Sequence, residues 1–161
     1  MRQIVKCKDI EEIKKILRVI DIASGFHLNL CIGGKAYSIE GKFDKAEIVE
    51  INGVFAHTNH YLKESFDEGF APPETNSLFR LAKIKALLKG KGNIKFTIED
   101  IEEILSYRAE SYYNSILAEE DMKRDITACT VLFDSSTNMI KLINRVENRN
   151  HVFPYLYNET V

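Results

Sequence analysis

The sequence predicts an α+β protein, with antiparallel sheets and helices packed against them. Three observations carry the prediction. A hydrophobic period of two gathers in hairpin-like groups, over residues 26–57 and again over 127–143. A period near 3.6 occupies other stretches, so the elements run α-β-β-β-β-α-α-β-β. Helices that do not alternate with strands argue against a parallel α/β sheet.

Each element has its own warrant. Asp9-Ile10-Glu11-Glu12 is a capped helix start, an Asp followed three residues later by Glu. Ile10, Ile13, Ile16, Leu17 and Ile20 share one face, so a short amphipathic helix runs to about residue 20, and Ser24-Gly25 ends it. Phe26, Leu28 and Leu30 then alternate with His27, Asn29 and Cys31, and Gly33-Gly34 is a two-residue hairpin signal. Residues 36–40 form the returning strand. Residues 46–51 and 54–57 are expected as two more short strands, with Asn52-Gly53 turning between them. Residues 63–75 carry Gly69, Pro72 and Pro73 with few periodic apolar residues, which reads as a loop. Helical pattern resumes at Leu78, with Leu81, Ile84, Leu87 and Leu88 on one side, until Gly90-Lys91-Gly92-Asn93 stops it. Thr97-Ile98-Glu99-Asp100 is a second capped start, and the helix it opens is expected to reach about residue 111. Residues 127–133 and 139–143 read as two strands around a turn at residues 134–138.

Composition bounds the answer further. The 161 residues hold 22 Lys+Arg against 24 Asp+Glu, a formal net charge of −2, with 45% hydrophobic residues. A chain this long buries roughly 68–70% of its unfolded surface as one domain. Eight Gly and three Pro exclude collagen-like and broadly disordered chains. The near-neutral charge argues against a general nucleic-acid binder. Cys7, Cys31 and Cys129 are odd in number and form no CxxC pair, so reduced thiols in a cytoplasm are expected. The charged N-terminus is not followed by an apolar core, so it is no signal peptide. No apolar run approaches the ~20 residues of a membrane span.

The segment His57-Thr58-Asn59-His60 sits where an expected strand meets a loop, a common place for functional groups. As a metal site it would offer His57 and His60 at i, i+3 with Glu64, Asp67 or Glu68 nearby. It is not HExxH, and no third His or Cys stands at a ligand spacing, so no metal is expected. Alternatively both imidazoles and the Thr hydroxyl satisfy backbone groups at a strand end. A third use belongs to Asn59, whose buried carboxamide could donate to an oxyanion during acyl transfer.

A resemblance bears on that choice. Gly53-Val54-Phe55-Ala56-His57-Thr58-Asn59-His60-Tyr61-Leu62, followed by Asn76-Ser77-Leu78-Phe79-Arg80, resembles the acyl-coenzyme A:6-aminopenicillanic acid acyltransferase family. These are penicillin acyltransferase-like N-terminal-nucleophile hydrolases, similar to choloylglycine hydrolases. Their HTNH segment ends a strand, and an S-x-x-R opens a later helix. The likeness is specific at HTNH and Arg80 and diffuse elsewhere, reaching about residue 143. It implies an αββα sandwich of two antiparallel sheets, of which residues 1–143 would form a C-terminal part and residues 144–161 a divergent tail. It makes Asn59 the oxyanion donor and Arg80 part of the active-site network, with His57 and His60 lining the site.

In that family a Cys made N-terminal by self-cleavage attacks the substrate, its own α-amine serving as base, with an Asp shortly downstream. Neither group has a counterpart here. Each cysteine is expected as a small buried or half-buried residue: Cys7 opens onto a helix, while Cys31 and Cys129 lie inside strands. Arg80 could equally be a solvated first-turn residue. Tyr107, Tyr112 and Tyr113 suit core packing, and the Lys-rich residues 83–95 suit a solvated face. The expected function is the C-terminal portion of an acyltransferase or amidohydrolase acting on thioester or amide acyl groups. Its partners would be a small-molecule acyl substrate and an N-terminal half on another chain, or further copies of this one. No cofactor is expected, acyl-coenzyme A being a candidate substrate, and neither are nucleic acid or membrane. The alternative is a non-catalytic remnant that binds a ligand or partner on the same scaffold.

Overall fold

A computed structural model describes residues 3–20, 22–63, 66, 75–92, 95–109, 115–117, 126–147 and 149–154. The chain divides into two compact units, Met1–Pro73 and Glu74–Val161.

In the first unit Asp9 is extended, and its carboxylate accepts the Glu12 backbone N–H at 2.9 Å, so helix α1 (Ile10–Val19) starts where the cap places it. A single 3-10 turn, Ile4–Lys6, precedes it. Ile13 and Leu17 on the inner face of α1 pack with Ile4 and Ile39 into the core. The sheet beneath is an antiparallel meander of β1 (Ile22–Ile32), β2 (Lys35–Phe43) and β3 (Lys45–Ile51), in that order. Gly33 and Gly34 take φ of 59° and 72°, the left-handed pair that a two-residue hairpin requires. That turn sets the register, pairing Leu28 with Ile39 and His27 with Glu40. As the alternation anticipates, Phe26, Leu28 and Leu30 all turn toward the core. The next turn places Phe43 at φ 53°, an uncommon position for a bulky side chain, and leaves it exposed.

Residues 54–57 do not form the expected strand; the sheet ends at β3. Gly53, at φ 89°, turns the chain away, and the following segment anchors to β2 through side chains instead of a backbone ladder. A short apolar run alone cannot distinguish the two arrangements.

In the second unit helix α2 (Thr75–Gly90) begins three residues before the first apolar residue of its pattern. Helix α3 (Ile98–Leu105) has the expected capping box between Thr97 and Asp100. It stops at Leu105, short of residue 111. The Ser106 N–H still bonds the Glu102 carbonyl at 2.9 Å, but the Tyr107 carbonyl already accepts from Ile116 and Leu117. Tyr112 and Tyr113 lie outside the described residues. Tyr107 has the Lys83 ammonium 4.2 Å from its ring centre, a cation–π contact rather than simple core packing.

A second antiparallel meander follows, β4 (Cys129–Asp134), β5 (Met139–Asn144) and β6 (Arg149–Pro154). Asp134 organises its first turn, accepting from Ser136 and Thr137, and these bonds pull its carboxyl down to about 2. Strand β6 falls within the segment expected as a tail and pairs with β5 from Met139↔Pro154 to Asn144↔Arg149. Two cysteines depart from expectation. Cys31 and Cys129 are exposed while Cys7 is half-buried, because Cys31 stands on the β1 face opposite Leu30 and Ile32, and Cys129 opens β4.

Candidate functional site

Strand β2 explains where the site lies. A strand sends alternate side chains to opposite faces, and in β2 both faces are buried. Tyr37 and Ile39 serve the apolar side. Ser38, Glu40 and Lys42 serve the other, at only 5%, 4% and 8% exposure. Buried polar groups require partners, so the opposite face must be covered by something that supplies them. The segment from Phe55 to Lys63 does so for Glu40, while His27 of β1 meets Ser38 and the Phe66 carbonyl meets Lys42.

Glu40 is the hub. One carboxylate oxygen accepts from His57 Nε2 at 2.7 Å and from the Leu62 N–H at 2.7 Å, and the other accepts from the Lys63 N–H at 3.2 Å. These bonds grip the segment at both ends of the turn that carries Thr58, Asn59 and His60. From the neighbouring strand, His27 stacks on His57 with ring centres 3.5 Å apart and planes within 3°. His27 Nε2 lies 3.0 Å from Ser38 Oγ, and Phe55 flanks both rings. Burial and the adjacent His57 together push His27 down to about 4, against the opposing pull of the Glu40 charge.

Two glycines make room for this packing. A Cβ on Gly25 would sit 1.8 Å from the Tyr61 hydroxyl oxygen, and a Cβ on Gly41 would sit 2.1 Å from a Phe26 ring carbon. The Tyr61 hydroxyl donates to the Gly41 carbonyl at 3.4 Å; burial, with the Glu40 charge, pushes it up from its ordinary value. Lys42 donates to the Phe66 carbonyl at 2.8 Å, beside the Tyr61 ring.

Between these groups opens a cleft of about 540 Å³, lined by residues 25–27 on one side and 57–61 on the other. His57, Asn59 and His60 therefore share one opening. The carboxamide of Asn59 is exposed at its edge rather than buried. His60 Nδ1 lies 3.2 Å from Thr58 Oγ1. Among the described residues no three His, Cys, Asp or Glu gather closely enough to hold a metal ion. Arg80 belongs to the second unit. It stands one turn after Asn76 in α2, its Nε donating to Asn76 Oδ1 at 2.8 Å, beside the buried Ser77. It is half-buried and held, not simply solvated.

The family model for acyl-coenzyme A:6-aminopenicillanic acid acyl-transferase matches residues 1–149. The chain belongs to this acyltransferase family. No curated protein matches it. The match spans the HTNH segment and Arg80 and places the chain among acyl-transfer proteins.

Reading the sequence missed Glu40, His27, Ser38 and Lys42. A signal for them existed: Ser38-x-Glu40-x-Lys42 puts three polar residues on one face of a strand, and the Gly33-Gly34 hairpin pairs His27 with Glu40. Such a face ordinarily meets water. Only the fold of residues 55–63 over it reveals that these groups are buried.

Proposed function

We propose that this chain supplies part of the site of an N-terminal-nucleophile acyltransferase or amidohydrolase that acts on the carbonyl of a thioester or amide. Family membership carries the reading, together with the convergence of the HTNH segment on one cleft. In it a thiolate from outside this sequence attacks the carbonyl carbon of a small acyl substrate. Asn59 donates to the developing oxyanion, a contact worth about 2.7–4 kcal/mol of transition-state stabilisation. His57 and His60 line the site, and the resemblance gives Arg80 a part in the active-site network. The thiolate would come from an N-terminal half on another chain or from a further copy of this one. Acyl-coenzyme A enters as a substrate rather than a cofactor.

A cytoplasmic setting suits the near-neutral charge and unpaired cysteines; neither nucleic acid nor membrane is a partner in this reading. Among the described residues no helix is long and apolar enough to cross a membrane.

The test is kinetic. The chain is combined with the purified N-terminal half, and hydrolysis of an acyl thioester or amide is followed. Asn59→Ala should lower the rate about 10²–10³-fold, and Arg80→Ala should lower it as well. Unchanged rates in an active complex would remove both roles. One observation favours a second reading, a non-catalytic binding module: no cysteine lines the cleft. That reading expects ligand binding without turnover whatever half is added.

A further inference from the structure

We propose that Glu40 and His57 form a proton-transfer pair opening on the cleft, able to activate water against an acyl thioester without any cysteine. The choice of substrate rests on the acyl-transfer reading above; the pair itself rests on geometry. A carboxylate only accepts, so His57 presents Nε2–H to Glu40 and the neutral ring carries its lone pair on Nδ1. Among the described residues Nδ1 has no hydrogen-bond partner. Yet no fully buried side-chain nitrogen or oxygen among them lacks one. Nδ1 therefore reaches solvent, although the His57 side chain is only 7% exposed. The opening available to it is the cleft that His57 lines.

The surroundings suit a base. Glu40 holds the tautomer and orientation, as a carboxylate behind a catalytic imidazole does. The parallel His27 ring fixes the plane of His57. His27 stays neutral down to about 4, so it sets no positive charge against an imidazolium forming beside it. The other titratable groups on this opening are His60 and Tyr61.

In the proposed step, His57 Nδ1 takes a proton from water as the water oxygen bonds to the carbonyl carbon. The carbonyl electron pair moves onto oxygen, beside Asn59. Collapse re-forms the C=O bond and breaks the C–S bond, and the Nδ1 proton goes to the departing thiolate. The products are a carboxylic acid and a thiol, with His57 neutral again.

The probe is S-phenyl thioacetate, with thiol release measured above the buffer rate on the whole chain. A variant with Cys7, Cys31 and Cys129 all changed to Ser should keep the rate. His57→Gln should lose it by ~10²-fold or more, the usual worth of a positioned base. Glu40→Gln should lower it too, because a carboxamide cannot accept all three bonds. If Glu40→Gln fails to fold, the wild-type pH profile serves instead: the rate should fall on acidification through one protonation and should drop in deuterium oxide. No hydrolysis above buffer, or equal rates in folded wild type and His57→Gln, overturns the proposal. Loss of the rate when the cysteines are changed, with His57→Gln still active, also overturns it. If His57→Gln abolishes the rate but Asn59→Ala leaves it unchanged, the pair stands and the oxyanion role of Asn59 falls.

Discussion

The two sheets share a three-stranded antiparallel plan and use it differently. In the first, the central strand is buried on both sides, with apolar residues toward α1 and Ser38, Glu40 and Lys42 under the segment from Phe55 to Lys63. In the second, Thr130, Leu132 and Ile143 form one buried face, while β6 is exposed along its whole length. Its polar links are of the ordinary kind: Lys141 pairs with Glu102 of α3, and Arg145 reaches Ser106. Among the described residues the buried charges, Glu40 and Lys42, both stand in the first sheet. Enclosing a carboxylate is costly unless it is hydrogen-bonded, and Glu40 uses three such bonds to hold a turn over a cleft.

The comparison can be broken at several points. The largest effect should come from the core under α1. Ile39→Ala is expected to cost about 2–5 kcal/mol in urea unfolding, whereas Phe153→Ala on exposed β6 should cost less than about 1 kcal/mol. A small penalty at Ile39 would mean that the first sheet is no better packed than the second. Next, Glu40→Ala strands the His57 ring N–H and two backbone N–H groups, a loss of roughly 2–4 kcal/mol. Glu102→Ala removes a partly exposed pair and should cost under about 1 kcal/mol. Equal losses would erase the distinction between buried and peripheral charge.

Gly41→Ala drives a methyl into the Phe26 ring and should cost about 1–3 kcal/mol. Gly90→Ala, at the end of α2 with open space around it, should instead gain a few tenths of a kcal/mol, up to about 1. Thermal melts of the two variants decide this. Acid provides the smallest test. His27 titrates near 4 when folded against its ordinary 6.5, so the folded state favours the neutral ring. Its contribution is complete above about 6.5 and is lost as pH falls toward 4, roughly 1–2 kcal/mol after solvent screening. His27→Gln should flatten that part of the stability-against-pH curve, and an unchanged curve would place the acid sensitivity elsewhere.

Local chemistry was legible where one residue decides the backbone. The Asp9 and Thr97 caps and the Gly33-Gly34 hairpin all stand where their side chains or φ angles demand. The α+β class followed from two periods in separate stretches. The fate of residues 54–57 was not legible, because the short apolar run Val54-Phe55-Ala56 reads like a strand, while the anchor that withdraws it, Glu40, acts through a contact across the fold. The site divides the same way. Its turn could be read from His57, Asn59 and His60, whereas its floor required knowing which face of β2 escapes water. Arg80 was singled out by motif alone, and its bond to Asn76 is seen only in the structure.

The stacked imidazoles of His27 and His57 have one more consequence. Two parallel aromatic rings at 3.5 Å lie in each other's shielding cone, so their carbon-bound protons should resonate upfield of ordinary histidine positions. One ring rides on β1 and the other on the turn. The pair is thus a built-in gauge of whether turn and sheet stay together, readable without label or substrate. When the turn lifts away, both signals should return to ordinary positions in step.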